Sequence, residues 1–226
     1  MHGAVHNAYT CRMSAGTPGG PAVAEFDVAV IAASLGGPAA LRQVLAAIPA
    51  DFPVPLLVAQ HRPPELDGRF VEALQARTRL AVRTVGDEEP LATPGVGVLP
   101  PRHTATVDPG GRLRLRAADS GRTADPLLES AAAHCGHRAL CVVLTGRLED
   151  GAAGVRAIKR HGGRTIVQQP STAQAPGMPK AALATGCVDL VMPLSHIAAA
   201  MIALTMAPGA ADLFRVAPPS WADLAA

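Results

Sequence analysis

The residues Val28-Ala-Val-Ile-Ala-Ala-Ser-Leu-Gly-Gly-Pro38 form an apolar run that ends in a serine, two glycines and a proline. The six residues before Ser34 are uncharged, which predicts a buried strand. The Gly36-Gly37-Pro38 sequence permits a tight turn and places a proline at the first position of a helix. We therefore expect a strand, a turn at Ser34 and then a helix.

The predicted helix after this turn is amphipathic. Apolar residues recur at i, i+3, i+4 and i+7, at Leu41, Val44, Leu45 and Ile48. A helix start offers free backbone N–H groups and the positive end of the helix dipole, which favour an anion. The turn is therefore a candidate site for an oxyanion formed beside the Ser34 oxygen, with a plain strand-to-helix turn as the alternative.

The length of the chain fits a single folded domain with a tail at each end. Its 226 residues are enough for one ordinary domain with a sizeable core. Residues 1–24 are rich in Gly, Ala, Pro and Ser and show no period, which predicts a flexible N-terminal tail. We expect the folded domain over residues 25–206 and a C-terminal tail over residues 207–226.

The composition narrows the class of protein. Hydrophobic residues make up 49% of the chain and aromatic residues only 3%, so the core must consist of Ala, Val, Leu and Ile, as in an α/β sheet. The formal net charge of +2 is too small, and aromatic residues are too few, for a nucleic-acid-binding protein. We therefore predict no nucleic-acid partner.

The cysteines and the hydropathy pattern favour the cytoplasm. The four cysteines, Cys11, Cys135, Cys141 and Cys187, include no CxxC pair, which argues against a disulfide framework or a zinc ribbon. No apolar run reaches the roughly 20 residues of a membrane span, and the N-terminus lacks a signal-peptide pattern. We expect a cytoplasmic protein without membrane insertion.

Further apolar runs alternate with helical stretches along the chain. Strands are predicted at 56–60, 82–85, 139–145, 164–168 and 187–192, and helices at 65–77, 125–136, 152–160, 179–186 and 195–206, with Asp125 and Ser195 as caps. Between them, residues 86–120 carry turn signals and short alternating runs, which indicate an antiparallel hairpin. The fold predicted is α/β: a doubly wound, mostly parallel sheet with helices on both faces and an antiparallel hairpin at one edge.

Three residues suited to nucleophilic catalysis follow the three strongest predicted strands: Ser34, His61 and Asp150. Because parallel strands end at one edge of a sheet, we expect these side chains to share that edge. Ser34 would attack a carbonyl, His61 would take its proton and return it to the leaving group, and Asp150 would orient the imidazole. The chain order and the absence of the first glycine of GxSxG distinguish this set from the α/β-hydrolases.

These residues also have structural interpretations. His61 could be an ordinary loop histidine, and Asp150 could cap the following helix. A separate cluster consists of His134, Cys135, His137 and Cys141. That cluster straddles a helix end and a buried strand and lacks the usual zinc spacing, so we predict neither a metal nor a cofactor.

Five motifs carry a family resemblance. They are Ile31-Ala-Ala-Ser-Leu-Gly-Gly37, Gln60-His-Arg-Pro-Pro64, Ala124-Asp-Pro-Leu-Leu128, Leu144-Thr-Gly-Arg-Leu-Glu-Asp-Gly-Ala-Ala-Gly154 and Gly177-Met-Pro-Lys-Ala-Ala182. With these motifs the chain resembles the methylesterase domain of the chemotaxis-specific protein-glutamate methylesterases. The resemblance assigns the family's catalytic triad to Ser34, His61 and Asp150.

The resemblance implies hydrolysis of γ-glutamyl methyl esters on the cytoplasmic helices of methylated chemoreceptors, with release of methanol, and deamidation of receptor glutamines as a further activity. An oxyanion hole would consist of the backbone N–H groups of Leu35 and Arg147, where the family usually carries other side chains. Many family members begin with a receiver domain of about 120 residues, which the first 24 residues cannot hold. We expect an enzyme that is constitutive, controlled by a separate response regulator or active in a pathway other than motility.

Two other functions stay open on the sequence. Leu35, Arg147 and the missing receiver fit a domain that binds a chemosensory partner without turnover. A distance of more than roughly 4.5 Å between His61 Nε2 and Ser34 Oγ would favour that alternative. The second is a general hydrolase of small esters on the same fold.

Overall fold

A central sheet of seven parallel strands organises the residues that this computed structural model describes, 24–118 and 121–222. The strands, with those of a separate hairpin, are β1 (Val28–Ala33), β2 (Leu56–Gln60), β3 (Val82–Thr84), β4 (Val96–Val98), β5 (His103–Val107), β6 (Leu113–Ala117), β7 (Ala139–Val143), β8 (Arg164–Gln168) and β9 (Leu190–Met192). Their order in the central sheet is β3-β4-β2-β1-β7-β8-β9. The predicted α/β fold is confirmed, whereas the predicted tail over residues 1–24 lies, except for Ala24, outside the described residues.

Helices cover both faces of the sheet. They are α1 (Gly37–Ala46), α2 (Asp67–Gln75), α3 (Asp125–Cys135), α4 (Ala152–Arg160), α5 (Gly177–Ala184), α6 (Leu194–Met206) and α7 (Ala210–Leu213). Helices α1, α2 and α6 pack on one face, and α3, α4 and α5 pack on the other. None of the described helices is long and apolar enough to cross a membrane.

Strand β1 is buried on both sides at the centre of the sheet. Its residues 29, 31 and 33 belong to the core beneath α1, and residues 28, 30 and 32 belong to the core beneath α3. This two-sided burial explains why the strand is a continuous apolar run and does not alternate with polar residues.

The chain reverses its direction of winding next to β1. Strands β2, β4 and β3 lie on one side of β1, and the chain then returns to place β7 on the other side. In parallel sheets such a switch point opens a crevice at the carboxyl ends of the two strands concerned. The crevice lies where β1 leads into Ser34 and β7 leads into Thr145.

Strand β4 was not predicted. It lies between β2 and β3 in the central sheet, within residues 86–120, where the sequence indicated only a hairpin. The strand has three residues between Pro94-Gly95 and Pro100-Pro101, which is too short for an alternating pattern to stand out.

The predicted antiparallel hairpin consists of β5 and β6, which pair from His103–Ala117 to Val107–Leu113. It forms a sheet of its own and packs against α3. The backbone N–H of Val107 donates to Ser130 Oγ on that helix at 2.9 Å. The hairpin therefore extends the layer of helices on its face of the central sheet.

Several element boundaries differ from the prediction. Helix α6 begins at Leu194 after Pro193, so Ser195 lies inside the first turn and is not its cap. Helix α5 begins at Gly177 and not at Pro179 as predicted. A proline is tolerated in the first turn because the N–H groups there have no partner within the helix. The helix predicted from residue 65 starts as a 3-10 turn, Pro64–Leu66, and the strand predicted over 187–192 is reduced to β9.

The residues after α6 return to the sheet. Helix α7 accepts hydrogen bonds from Arg164 of β8, whose Nε donates to Ala211 O and whose Nη2 lies 3.1 Å from Asp212 Oδ1. Farther along, the N–H of Val216 donates to Asp189 Oδ1, a carboxylate that also pairs with Lys159. Part of the predicted C-terminal tail is therefore in contact with the domain.

Helices α3 and α4 approach each other closely at Gly154. A Cβ on Gly154 would lie 2.4 Å from Leu128 Cβ, so Gly154→Ala should overpack this interface and lower the free energy of unfolding by about 1–3 kcal/mol. The matched control is Gly68→Ala in α2, where a Cβ meets no atom within 4 Å. Because alanine has the higher helix propensity, that control should stabilise the protein by about 0.5–1 kcal/mol. Urea unfolding of both variants measures the two changes in the free energy of unfolding. Equal changes would contradict the predicted overpacking at Gly154.

Candidate active site

Ser34 occupies the turn between β1 and α1. Its N–H donates to Thr145 O at 3.0 Å, which ties the turn to the end of β7 across the switch point. Gly36 follows with φ +83°, a left-handed conformation that suits glycine, and Gly37 begins the helix. The N–H of Gly37 donates to Ser34 O at 2.8 Å, which closes the turn.

The loop after β7 passes close to Ser34 because Gly146 has no side chain. A Cβ at Gly146 would lie 2.9 Å from Ser34 Cβ and 2.0 Å from Met178 Sδ. The loop is fixed on both sides, since the Gly146 N–H donates to Ala175 O and its carbonyl accepts from the Met178 N–H, both at 2.9 Å. The backbone of the loop after β7 thus forms one wall beside the serine.

His61 follows β2 and faces Ser34. The backbone N–H of His61 donates to Ala33 O at 3.2 Å, continuing the parallel ladder of β1 and β2. Its Nδ1 lies 3.2 Å from Ser34 Oγ, within hydrogen-bond distance. We expected Nε2 in this position, and the structure places the other ring nitrogen there.

The second ring nitrogen of His61 faces Asp150. Nε2 lies 3.0 Å from Asp150 Oδ2, but the N–H does not point at the carboxylate oxygen. The two groups are therefore close enough to interact electrostatically without forming an aligned hydrogen bond. The neutral ring that fits both contacts carries its proton on Nε2, which leaves Nδ1 free to accept the serine proton. The structure thus brings all three predicted side chains together.

Asp150 lies at the end of the loop after β7, immediately before α4, and not directly after the strand. Its carboxylate is buried and accepts three backbone N–H groups from the start of α3: those of Thr123 and Ala124 on Oδ2, both at 2.9 Å, and that of Asp125 on Oδ1 at 3.1 Å. Asp150 therefore caps α3, whereas the structural alternative had it capping its own helix.

Asp125 makes the reciprocal contact. It is the first residue of α3, and its Oδ1 accepts the N–H groups of Gly151 at 2.9 Å and Gly154 at 2.8 Å, at the start of α4. We predicted Asp125 as the cap of its own helix, and that was wrong. Each of the two helices is capped by a carboxylate from the N-terminal end of the other: Asp125 is the first residue of α3, and Asp150 lies two residues before α4.

The two carboxylates have opposite pKa shifts. Burial raises the pKa of Asp125 to about 6, and the neighbouring charge of Asp150 adds to the shift. Burial would also raise the pKa of Asp150, but the His61 ring and the three backbone N–H donors outweigh it and lower the pKa. Asp150 is therefore ionised where it faces the histidine.

The two predicted oxyanion donors flank the serine on separate loops. Among the described residues, neither the N–H of Leu35 nor that of Arg147 donates to a protein acceptor. Both residues line cavities that reach Ser34. Free N–H groups beside a nucleophile can stabilise a developing oxyanion. The assignment of the Leu35 and Arg147 N–H groups to this role stays a prediction.

Two cavities meet at Ser34 and His61. The larger, of about 590 Å³, extends past Asp150 and is also lined by Gly121, Arg122, Arg147, Leu148 and Glu149. The smaller, of about 480 Å³, extends over the start of α1 and includes Arg42 and Gln174. The hydroxyl of Ser34 therefore lies on an open groove with cationic side chains along it.

Polar residues that had no predicted role terminate three of the buried strands. Gln60 ends β2, Thr145 follows β7 and Gln168 ends β8. Thr145 Oγ1 donates to Leu35 O at 2.9 Å, and Gln168 Oε1 accepts the Thr145 N–H at 2.8 Å. A polar side chain at the carboxyl end of an otherwise apolar run was the sequence signal for these residues.

The structure does not gather the cluster considered for a metal. Among residues 24–118 and 121–222, no three His, Cys, Asp or Glu side chains are placed to hold a metal ion. Burial also raises the pKa of the Cys135 thiol to about 12, which disfavours the thiolate that a metal needs.

The exchange of carboxylates predicts a pH effect on stability. Because the folded-state pKa of Asp125 is about 6 and its ordinary value is 3.8, the protein loses stability as the pH rises through about 6. Asp125→Asn keeps the accepting oxygen but cannot ionise. Relative to the parent, this variant should gain up to about 3 kcal/mol between pH 4 and pH 8. Chemical denaturation at both pH values measures the gain, and a constant difference would contradict the assignment.

Comparison with known proteins matches this chain to one family. A sequence model of the family described as CheB methylesterase matches residues 29–201. Among solved structures, the chain is similar to the Thermotoga maritima CheB methylesterase catalytic domain, with a TM-score of 0.73 and 30% sequence identity over 79% of this chain and 98% of that one.

Curated relatives support the same assignment. The protein-glutamate methylesterase/protein-glutamine glutaminase of Moorella thermoacetica is 38% identical over 81% of this chain and 45% of its own length. The protein-glutamate methylesterase FrzG of Myxococcus xanthus is 38% identical over 78% of this chain and 54% of its own. The chain thus spans about half the length of these relatives. On the family match and these identities, the chain belongs to the CheB methylesterase family.

Proposed function

We propose that this chain is a serine hydrolase that removes methyl groups from γ-glutamyl methyl esters of proteins. The observation that carries the proposal is the continuous set of contacts from Ser34 Oγ to His61 Nδ1 and from His61 Nε2 to Asp150, at the switch point of the sheet. A hydroxyl, a base and a buried carboxylate in this order are the groups that acyl transfer requires.

The proposed reaction has two halves. Ser34 Oγ bonds to the ester carbonyl carbon while its proton moves to His61 Nδ1, and the N–H groups of Leu35 and Arg147 stabilise the oxyanion. The C–OCH3 bond then breaks, His61 returns the proton to the leaving oxygen and methanol departs. Water, deprotonated by His61, then attacks the acyl-serine. The bond to Ser34 Oγ breaks, His61 returns the proton to Oγ, and the glutamate carboxylate departs.

Asp150 acts in this scheme by remaining charged. When His61 takes the serine proton the ring becomes a cation, and the carboxylate 3.0 Å from Nε2 stabilises it. The same groups can hydrolyse a glutamine side chain, with ammonia as the leaving group in place of methanol. We therefore include deamidation in the proposed activity. The names of two relatives also combine protein-glutamate methylesterase with protein-glutamine glutaminase.

The proposed substrates are the methylated helices of chemoreceptors in the cytoplasm. The groove beside Ser34 is open, so it suits a side chain presented by another protein better than an enclosed small molecule. Arg122 is paired with Glu149 at 3.6 Å, whereas the exposed cations of Arg42 and Arg147 favour a segment rich in carboxylates. Glutamyl side chains around the ester would supply them.

The decisive test of the activity is Ser34→Ala. Incubation of the purified chain with a receptor fragment carrying radiolabelled methyl esters should release volatile methanol. Removing the nucleophile should reduce kcat by roughly 10⁴- to 10⁶-fold. The control is Ser195→Ala in the first turn of α6, which should keep the parent rate.

Equal methanol release by the parent and Ser34→Ala would contradict the proposal, as would the absence of release by the parent. In the second case the binding domain without turnover gains support. Hydrolysis of simple methyl esters at rates matching the receptor fragment would instead favour the general small-ester hydrolase.

The charge of the groove generates a further prediction. Arg147→Met removes an exposed cation beside Ser34 and keeps the backbone N–H, so kcat/KM for an acidic methylated substrate should fall by about 2- to 10-fold at low salt. The parent should lose this advantage as NaCl rises, and the variant should be less salt-sensitive. Arg77→Met, after α2, is the control. A variant with the parent's rate and salt dependence would show that Arg147 does not attract substrate.

A further inference from the structure

Gln60 is a buried polar residue directly beneath the proposed site. It is the last residue of β2, pairs in register with Ala33 and is 3% exposed. Its amide Nε2 donates two hydrogen bonds, to Ser34 O at 2.9 Å and to His61 O at 2.7 Å. One side chain thus links the backbone of the proposed nucleophile to the backbone of the proposed base.

The contact with Ser34 O acts on a particular peptide group. The peptide that contains this carbonyl also contains the N–H of Leu35, and the described chain has no cis peptide bond. In a trans peptide the N–H points away from the C=O. Gln60 therefore holds one end of the peptide whose other end carries a proposed oxyanion donor.

A hydrogen bond to the carbonyl also changes that donor. Hydrogen-bonded amide groups polarise one another, so donation to Ser34 O makes the N–H of Leu35 a stronger donor. Gly37 N–H donates to the same carbonyl oxygen at 2.8 Å. Both acceptor sites of Ser34 O are therefore used, and the peptide has little freedom to rotate.

The other half of the Gln60 amide has no hydrogen-bond partner. Its Oε1 is buried and unpaired among the described residues, against the backbone of Gly37. A Cβ on Gly37 would lie 1.9 Å from that oxygen, so the glycine leaves room for the amide. An unpaired buried acceptor is unfavourable for folding. The donors of this amide, and not its acceptor, are what the local structure uses.

We propose that Gln60 is a positioning residue for the reaction: its amide fixes the Ser34–Leu35 peptide and the His61 backbone in the geometry that stabilises the oxyanion. Gln60 contributes to the lining of the smaller cavity, but both of its donors bond to backbone carbonyls, so it acts through Ser34 and His61 and not on the reacting atoms. The inference rests on the proposed hydrolase function and adds to it a residue that acts on kcat through two other residues.

The test is Gln60→Met, which keeps the length of the side chain and removes both donors. We expect kcat for methyl-ester hydrolysis to fall by about 10- to 100-fold while KM changes less than about twofold, because the oxyanion forms only in the transition state. The rate at which a fluorophosphonate labels Ser34 should fall in parallel, since its P=O group needs the same donors.

The matched control is Gln75→Met at the end of α2. Gln75 also bonds to backbone groups, donating to Leu80 O at 3.1 Å and accepting from Val82 N at 2.8 Å, at the opposite edge of the sheet. The Gln75→Met variant should have a lower melting temperature than the parent, with an unchanged kcat and an unchanged rate of Ser34 labelling. A Gln60→Met protein with kcat and labelling within twofold of the parent overturns the proposal.

A second variant covers the case in which Gln60→Met does not fold. Gly37→Ala keeps glutamine at position 60 but places a Cβ 1.9 Å from its Oε1, so the amide must move. We therefore expect kcat and the labelling rate to fall while KM stays near the parent value. A folded Gly37→Ala protein with the parent's kcat and labelling overturns the proposal.

The labelling assay separates this inference from the proposed function. If the parent is labelled at Ser34 but releases no methanol, the esterase proposal fails and the labelling rates still decide the role of Gln60. If the parent is neither labelled nor active, both proposals are wrong.

Discussion

The exchange of two buried carboxylates between the N-terminal ends of α3 and α4 is the interaction on which the site depends. Asp150 satisfies three N–H groups of one helix start, and Asp125 satisfies two of the other. Neither helix has a side-chain cap of its own, so the packing of α3 against α4 stabilises the N-terminus of each. The close contact at Gly154 fixes the distance over which this exchange works.

This arrangement gives Asp150 two functions at once. Burial would raise the pKa of its carboxylate, but the His61 ring and the N–H donors of the helix start together lower the pKa and keep the carboxylate ionised. Its Oδ2 then faces the histidine as a fixed negative charge that needs no reorganisation when the ring becomes a cation. Folding energy and the electrostatics of the proposed site thus come from the same atoms.

Much of this could be predicted from the sequence. The apolar run before Ser34 and the strand before His61 have clear patterns, and parallel strands must end at a common edge, so the meeting of the three side chains follows from local signals. The short β4 could not be predicted, because three residues between prolines carry no period.

Other features depend on tertiary contacts that no local pattern encodes. Asp125 begins a helix with the right residue type for a cap, but which N–H groups it reaches is set by how α3 and α4 pack. Likewise, the ring nitrogen that His61 turns toward Ser34 depends on its side-chain rotation. Gln60 stood inside a recognisable motif, yet its role required the direction of a buried amide.

The hairpin of β5 and β6 contributes no residue to the Ser34, His61 and Asp150 set, but the segment that leaves it supplies Gly121 and Arg122 to the wall of the larger cavity. The next two residues of that segment, Thr123 and Ala124, donate their N–H groups to Asp150, so changes in the segment would alter the groove and the position of the carboxylate together. This part of the groove wall can therefore vary only as far as the buried carboxylate beside it stays in place.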